Sequence, residues 1–160
     1  MVAGAAEDGI CLLEFTDNGV RLKHEIATLE RLLAAKAATG ENPHLGLLFK
    51  QLNEYFEGVR KVFSIPLVYP GSPFQLGVWQ ELLKIPYGSI RSYMDQAKEL
   101  GKPDAIRAVA RANGMNRISI VIPCHRVIGS DGKMTGYGGG IWRKKRLLDL
   151  EKGSVLKLWE

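Results

Sequence analysis

Cysteine is scarce here: 160 residues carry two, Cys11 and Cys124, far apart in the chain. The start, MVAGAAEDG, has neither a basic leader nor an apolar signal core. A disulfide scaffold of the secreted kind is therefore not expected, and each sulfur has to be explained as a thiol. No apolar run approaches the roughly 18 residues needed to cross a bilayer, so a cytoplasmic protein without membrane association is expected. Cys11, His24 and His44 lack the spacing of metal ligands, and no metal site is expected. Repeats and low-complexity tracts are missing. GYGGG at 136–140 has neither the GxGxxG spacing nor the Lys-Ser/Thr of a nucleotide loop, which excludes a phosphate cradle.

What is present is enough apolar residue for one sizeable core or two small ones, and an uneven charge. Residues 1–69 hold 7 basic and 9 acidic side chains, whereas residues 70–160 hold 15 and 8. The second part thus carries a positive field suited to a polyanion such as nucleic acid. On charge alone, a merely solubilising basic face is an equal reading.

GICLLEF alternates poorly but is apolar enough for a short buried strand, closed by the turn-like TDNG. MVAGAA before it is strand-like too, and the first hairpin is expected to be trimmed. Leu22, Ile26, Leu29, Leu32 and Leu33 recur at helical spacing within 22–38, and a second helix over 45–57 carries Leu48, Leu52 and Phe56 on one face. FSIPLVYPGSP is extended and punctuated by proline, which places a domain boundary near Pro66 to Pro70. Beyond it, Ser72 caps a helix opened by Pro73 with Phe74, Val78, Leu82 and Leu83 inward. SYMDQAKEL, stopped by Gly101, and PDAIRAVARANG, opened by Pro103 and closed by Gly114, form a candidate helix-turn-helix. ISIVIP reads as a buried strand, and IWRKKRLLDLEKG as a last helix whose Arg143–Arg146 cluster is solvated. Trp79, Trp142 and Trp159 are assigned to packing or a tail contact, and Cys11 to the core.

The chemistry points to IVIPCHRVIG. Pro123 breaks the strand and is expected to expose Cys124 at a sheet edge. Thiolate is the nucleophilic form, and His125 and Arg126 are candidates for lowering the thiol pKa. Neighbouring side chains on an extended backbone face opposite ways, so His125 would act through a bridging water. Bare, Glu151 is a helix-end surface carboxylate, Asn116 an Asx turn, Arg107 a phosphate contact and Tyr93 a half-buried core ring.

The string as a whole resembles the O6-alkylguanine-DNA alkyltransferase (methylated-DNA–protein-cysteine methyltransferase) family, whose acceptor motif is PCHR. The similarity runs from GSPFQLGVWQELLKIPYGSIRSY through AIRAVARANGMNRISIVIPCHRVIG to GYGGGIWRKKRLLDLEKG, nearly without gap over residues 71–153. The first 66 residues look like the family's variable domain, chiefly in GICLLEF and NEYFEG. The resemblance implies an α+β protein. A small N-terminal α/β, ribonuclease H-like domain over 1–66 precedes a helical, winged helix-turn-helix DNA-binding and alkyl-acceptor domain over 67–153, then a tail over 154–160. It also suits a piece of a longer, adaptive-response bifunctional protein.

Carried over by position, the resemblance makes Cys124 the alkyl acceptor, His125 its relay through water and Glu151 the carboxylate that orients the histidine. Asn116 becomes the hinge between recognition helix and active-site segment. Arg107 becomes the finger that replaces a flipped nucleotide, and Tyr93 crowds the target phosphate and donates to the guanine ring. Ala105, Ala108, Ala110 and Ala112 would let the helix approach the minor groove, with Arg111 and Arg126 adding DNA contacts. Tyr137, Gly138, Val127 and Asn113 would line the base pocket. The implied activity is single-turnover transfer of a methyl or larger alkyl group from O6 of guanine, less so O4 of thymine, in double-stranded DNA. The implied protein is a monomer that needs no cofactor. Two rivals are an alkyltransferase-like protein that flips and flags lesions without transfer, and a Cys-His hydrolase with multiple turnovers.

Overall fold

The computed structural model describes residues 1–153; the tail and Trp159 lie outside the described residues. Strand β1, Val2–Ala6, pairs antiparallel with β2, Gly9–Glu14. Gly4 faces Leu12 but Ala5 faces Ile10, so Cys11 is an extra residue on β2. This bulge is why GICLLEF alternates poorly. Ile10 and Leu13 enter the main core, whereas Cys11 and Leu12 join Leu29 in a smaller one.

The free edge of β2 is used at both ends. Ile10 N donates to Pro66 O at 2.9 Å and Val68 N to Ile10 O at 2.8 Å; further along, Leu13 N donates to Arg117 O at 2.8 Å and Ser119 N to Leu13 O at 2.9 Å. Gly9 permits the first approach, because a Cβ there would sit 2.5 Å from Pro66 O.

Helix α1, Gly19–Leu33, starts at the Asn18 cap and stops where Ala34 turns left-handed with φ of 50°. It is therefore shorter than the 22–38 pattern suggests, and Leu32 is exposed. Helix α2, Pro43–Phe56, opens on Asn42 and Pro43 and buries Leu48, Leu52 and Tyr55. Helix α3, Pro73–Leu83, has a full capping box between Ser72 and Gln75. Its inward residues are Val78, Trp79 and Leu82, while Leu83, expected inward, is exposed. Trp79 also donates Nε1–H to Ala112 O at 2.9 Å, fixing α3 against the later helix that carries Ala112.

Strand β3, Arg91–Ser92, leads into α4, Tyr93–Glu99, capped by Ser92. After the left-handed Gly101, a 3-10 turn at Pro103–Ala105 opens α5, Ile106–Gly114. Helices α4 and α5 form the expected helix-turn-helix. Strand β4, Val127–Ile128, runs parallel to β3, and α6, Ile141–Glu151, completes the described chain. The main core runs through both parts, from Ile10 and Leu48 to Val109, Ile122 and Leu150. No helix among the described residues is long and apolar enough to cross a membrane.

Candidate functional site

The segment 116–126 is not the buried strand its apolar run suggests. Its backbone closes on itself: Val121 N donates to Ser119 O, Ile122 N to Ile118 O and Cys124 N to Ile122 O, each within 3.0 Å. Only Ile118 makes a strand-like bridge, to Leu13. The β-branched side chains are apolar in every direction because the turn is buried on all sides. Ile120 is held in the left-handed region with φ of 72°, costly for a β-branched residue and sustained by its full burial.

Asn116 ties this turn together. Its Oδ1 accepts from Ile118 N at 2.9 Å, and its Nδ2 donates to Ile122 O at 2.8 Å and to Cys124 Sγ at 3.2 Å. Cys124–Arg126 is a 3-10 turn. Cys124 is therefore a buried turn residue, not a sheet-edge one, and its side chain diverges from that of His125 by roughly 120° rather than facing the opposite way.

Glu151, the last residue of α6, is buried and gathers five donors from three parts of the chain. His125 Nε2 and Tyr55 OH reach Oε1 at 2.8 Å each; Arg126 contributes Nη2 to Oε1 and Nε to Oε2 at 2.9 Å each; Gly88 N reaches Oε2 at 3.0 Å. Burial by itself would raise this carboxyl, but the hydrogen bonds from His125 and Arg126 and the charge of Arg126 outweigh it and hold the pKa down to about 2. A carboxylate at Oε1 fixes the imidazole proton on Nε2. Nδ1, buried and without a protein partner among the described residues, then carries the lone pair. Burial also pushes the His125 pKa down, so the ring is neutral and able to accept a proton.

The thiol is not pre-ionised. Burial pushes the Cys124 pKa up, with the Asn116 hydrogen bond, Lys144 and Arg21 acting downward and Glu14 upward. His125 and Arg126 are not among the groups that act most on it. The expectation that Arg126 touches DNA is also corrected. The residue is 6% exposed and its guanidinium is fully committed, with Nη1 on Ile85 O at 2.6 Å and the other two nitrogens on Glu151.

Tyr93 is buried, and its hydroxyl donates to Thr135 O at 3.0 Å and Gly136 O at 3.4 Å. Lys144 Nζ donates to the same two carbonyls at 2.9 and 3.4 Å and lies 5.7 Å from the Tyr93 ring. Lys144 is thus wholly buried instead of belonging to a solvated cluster, and burial lowers its pKa to about 8. Tyr137 packs edge-on against Phe15, and its hydroxyl is held well above the usual phenol range by burial and by the charges of Cys124 and Glu14. Val127 is buried in β4 beside Cys124, and Gly138 lies exposed on the glycine loop.

On α5, Arg107, Ala108 and Arg111 face solvent, Ala110 is half-buried like Ala105 in the 3-10 turn before it, and Ala112 points into the core. Ala112 is thereby removed from the expected approach surface. Asn113 is likewise no pocket wall: it is 4% exposed and locked in a reciprocal amide pair with Gln96, at 2.7 and 3.2 Å. That pair is a strut between α4 and α5. Trp142 is exposed, with the Arg143 guanidinium 4.3 Å from its ring. Sequence reasoning missed Tyr55, Gly88, Arg21, Glu14 and Lys144. Tyr55 sits in NEYFEG, but nothing local signals that its hydroxyl reaches a carboxylate 96 residues away. Among the described residues no three His, Cys, Asp or Glu side chains converge to hold a metal ion.

Two family models match. The one described as "6-O-methylguanine DNA methyltransferase, DNA binding domain" covers residues 73–153, and "6-O-methylguanine DNA methyltransferase, ribonuclease-like domain" covers residues 2–69. A methylated-DNA–protein-cysteine methyltransferase of Mycobacterium tuberculosis is 57% identical over 102 residues, 64% of this chain and 62% of the relative. The inducible protein of the same name from Bacillus subtilis is 52% identical over 102 residues, 64% of this chain and 57% of its own. The matched stretch thus spans about three fifths of the length of these curated relatives. Among solved structures, Mycobacterium tuberculosis OGT in complex with DNA is similar at a TM-score of 0.82 and 39% identity, over 97% of this chain and 88% of that one. The O6-methylguanine-DNA methyltransferase of Pyrococcus kodakaraensis is similar at 0.64 and 26% identity, over 91% and 88%.

Proposed function

The chain belongs to the 6-O-methylguanine DNA methyltransferase family, and from that premise we propose that it repairs DNA by moving an alkyl group from O6 of guanine onto its own Cys124. The observation that carries this reading is the pairing of a buried thiol held by Asn116 at 3.2 Å with a neutral histidine whose proton is fixed by Glu151 at 2.8 Å. Such an arrangement keeps sulfur protonated at rest and ionises it on demand. The Cys124 proton passes through a water to His125 Nδ1, and Glu151 stabilises the imidazolium. Thiolate attacks the alkyl carbon in line; the S–C bond forms as the C–O6 bond breaks, and the electron pair leaves on the guanine. The base gains one proton, so overall a methyl moves from oxygen to sulfur and a proton from sulfur to base. A thioether has no ready leaving group, so each molecule reacts once.

A base inside a duplex is out of reach of a buried sulfur, so the nucleotide has to be rotated out. The exposed Arg107 on α5 takes its place in the stack, while Ala105, Ala108 and Ala110 admit the helix to the minor groove and Arg111 meets phosphate. Tyr93, at the loop that closes on the base, donates to the guanine ring as charge develops there, and Asn116 hinges α5 to the acceptor turn. Tyr137, Gly138 and Val127 line the pocket. The protein acts as a monomer without cofactor, and two free thiols suit the reducing cytoplasm.

The test is the mass of the Cys124 peptide after exposure to a duplex carrying O6-methylguanine. One added methyl is expected, and excess duplex should never yield more than one equivalent per molecule. An unmodified thiol on a protein that still binds the lesion would favour the flagging role, and repeated turnover a hydrolase. Arg107→Ala should slow transfer from duplex roughly tenfold, about 1.4 kcal/mol. It should leave transfer from a single-stranded oligonucleotide, which has no stack to invade, nearly unchanged. Equal losses on both substrates would remove Arg107 from the flipping step.

A further inference from the structure

We infer that Arg21, on the N-terminal helix α1, is a positioning residue for alkyl transfer, holding the glycine loop and the acceptor turn in register from outside the helix-turn-helix part. The inference rests on the proposed transfer to Cys124. Arg21 Nε donates to Glu14 Oε2 at 3.3 Å, and Nη2 donates to Asn116 O at 3.4 Å, with Glu25 at 4.0 Å. The same guanidinium lies against Gly138: a Cβ on that residue would come within 2.9 Å of its central carbon and 3.0 Å of both Nη atoms. One planar group thus touches the residue that holds the Cys124 sulfur and a glycine of the loop proposed to receive the base. A fork of donors on a flat cation suits this use, since it can bond at its edge while a backbone packs on its face.

The surroundings make the contact a fixed one. Glu14 is 2% exposed and also accepts from Ser119 Oγ at 3.0 Å, within the acceptor turn. Arg117, next to Asn116, binds Glu25 at 2.7 Å and Pro70 O at 3.0 Å and lies over the Trp79 ring. Two buried carboxylates of the N-terminal part therefore grip the start of the turn through two arginines, Arg21 on Asn116 O and Arg117 itself.

The charged and titratable groups facing the thiol come from several elements. Glu14 on β2 opposes ionisation of Cys124, and Lys144 on α6 and Arg21 on α1 favour it. The Tyr93 and Tyr137 hydroxyls feel the sulfur in turn, and His125 is its neighbour in sequence. Arg21 counts twice in this balance, because it favours the thiolate and also neutralises the carboxylate that repels it.

The experiment uses the full chain in single-turnover mixing with a duplex carrying O6-methylguanine, with the transfer rate followed across neutral pH and binding to unmodified duplex measured in parallel. Arg21→Met is expected to slow transfer at saturating protein on the order of tenfold and to move its acid-side midpoint upward by about one pH unit. Binding to unmodified duplex should not change. Adding Glu14→Gln to Arg21→Met should return the midpoint toward the parent while part of the rate loss, which comes from the loosened loop, persists. Arg21→Lys, which keeps the charge but not the fork, should keep the midpoint and lose rate. If Arg21→Met fails to fold, Gly138→Ala decides, since its methyl displaces the guanidinium with the charge retained; a parental rate there overturns the inference. A parental rate and pH profile in a folded Arg21→Met overturns it as well. If the parent itself leaves Cys124 unalkylated, the reading of the function falls instead.

Discussion

Cys124→Ser is expected to abolish transfer while leaving lesion binding intact. Serine is nearly the size of cysteine and can accept the same hydrogen bond from Asn116 Nδ2, which now lies 3.2 Å from sulfur. The turn should therefore hold its shape, with Ile118 and Ile122 still anchored to the Asn116 amide. What changes is the nucleophile. An alcohol ionises far less readily than a thiol, and a relay built on a neutral imidazole cannot make up the difference. Losing the nucleophile of such a set costs on the order of 10⁴-fold or more in rate. The measurement is retention of the methyl on the oligonucleotide over time, beside a gel-shift titration with the same duplex. Tight binding without clearance would make the variant behave as a lesion flag. Clearance at the parental rate would mean that sulfur is not the acceptor.

Glu151→Gln is expected to damage both stability and rate, because one carboxylate serves Tyr55, Gly88, His125 and Arg126 together. Glutamine keeps the shape but presents an NH₂ group to donors and leaves the buried Arg126 cation without a counter-charge. Breaking a buried pair in this way costs about 3–5 kcal/mol, readable as a lower urea midpoint. The pH dependence follows from the depressed carboxyl. Glu151 titrates near 4.5 when exposed and near 2 in the fold, so its contribution is complete above the first value and is lost as pH falls toward the second. That difference corresponds to about 3 kcal/mol. The parent should lose this much between those pH values, and the variant, which has no carboxyl to protonate, should not. In transfer assays the variant should also lose the support for an imidazolium at His125. Identical urea midpoints at neutral pH would show that Glu151 does not hold these elements together.

The elements most legible from sequence are those marked by local chemistry. Ser72 and Pro73 announce α3, and Gly101 and Pro103 shape the turn before α5, because capping and proline act within one helical turn. The end of α1 falls short of the 22–38 pattern because helix-favouring residues, the alanines and lysine of 35–38, continue past the left-handed Ala34. ISIVIP misled for a related reason: an apolar run reports burial, and a turn buried on all sides has the same composition as a strand. Within the site, Cys124 and His125 stand out in PCHR, whereas Glu151 and Asn116 came only through resemblance. The structure brings Asn116 to the sulfur and Glu151 to the imidazole. Arg126 and Asn113 went wrong because a polar side chain looks alike in sequence whether it meets solvent or a buried partner. Arg21, Tyr55 and Lys144 left no local trace, since their partners are set by tertiary packing.

The free edge of β2 has a consequence for how far the amino-terminal part can drift. Its grip on residues 66–68 and 117–119 is made by main-chain amides and carbonyls, which are the same whatever side chain is attached. Substitution can therefore rework the outer surface of these first strands and helices extensively without releasing the turn that carries Cys124. Proline is the exception. At positions 10, 13, 68 or 119 it would delete a donor from that ladder, and four ordinary amide hydrogens thus set a boundary on variation that no chemistry at the sulfur would reveal.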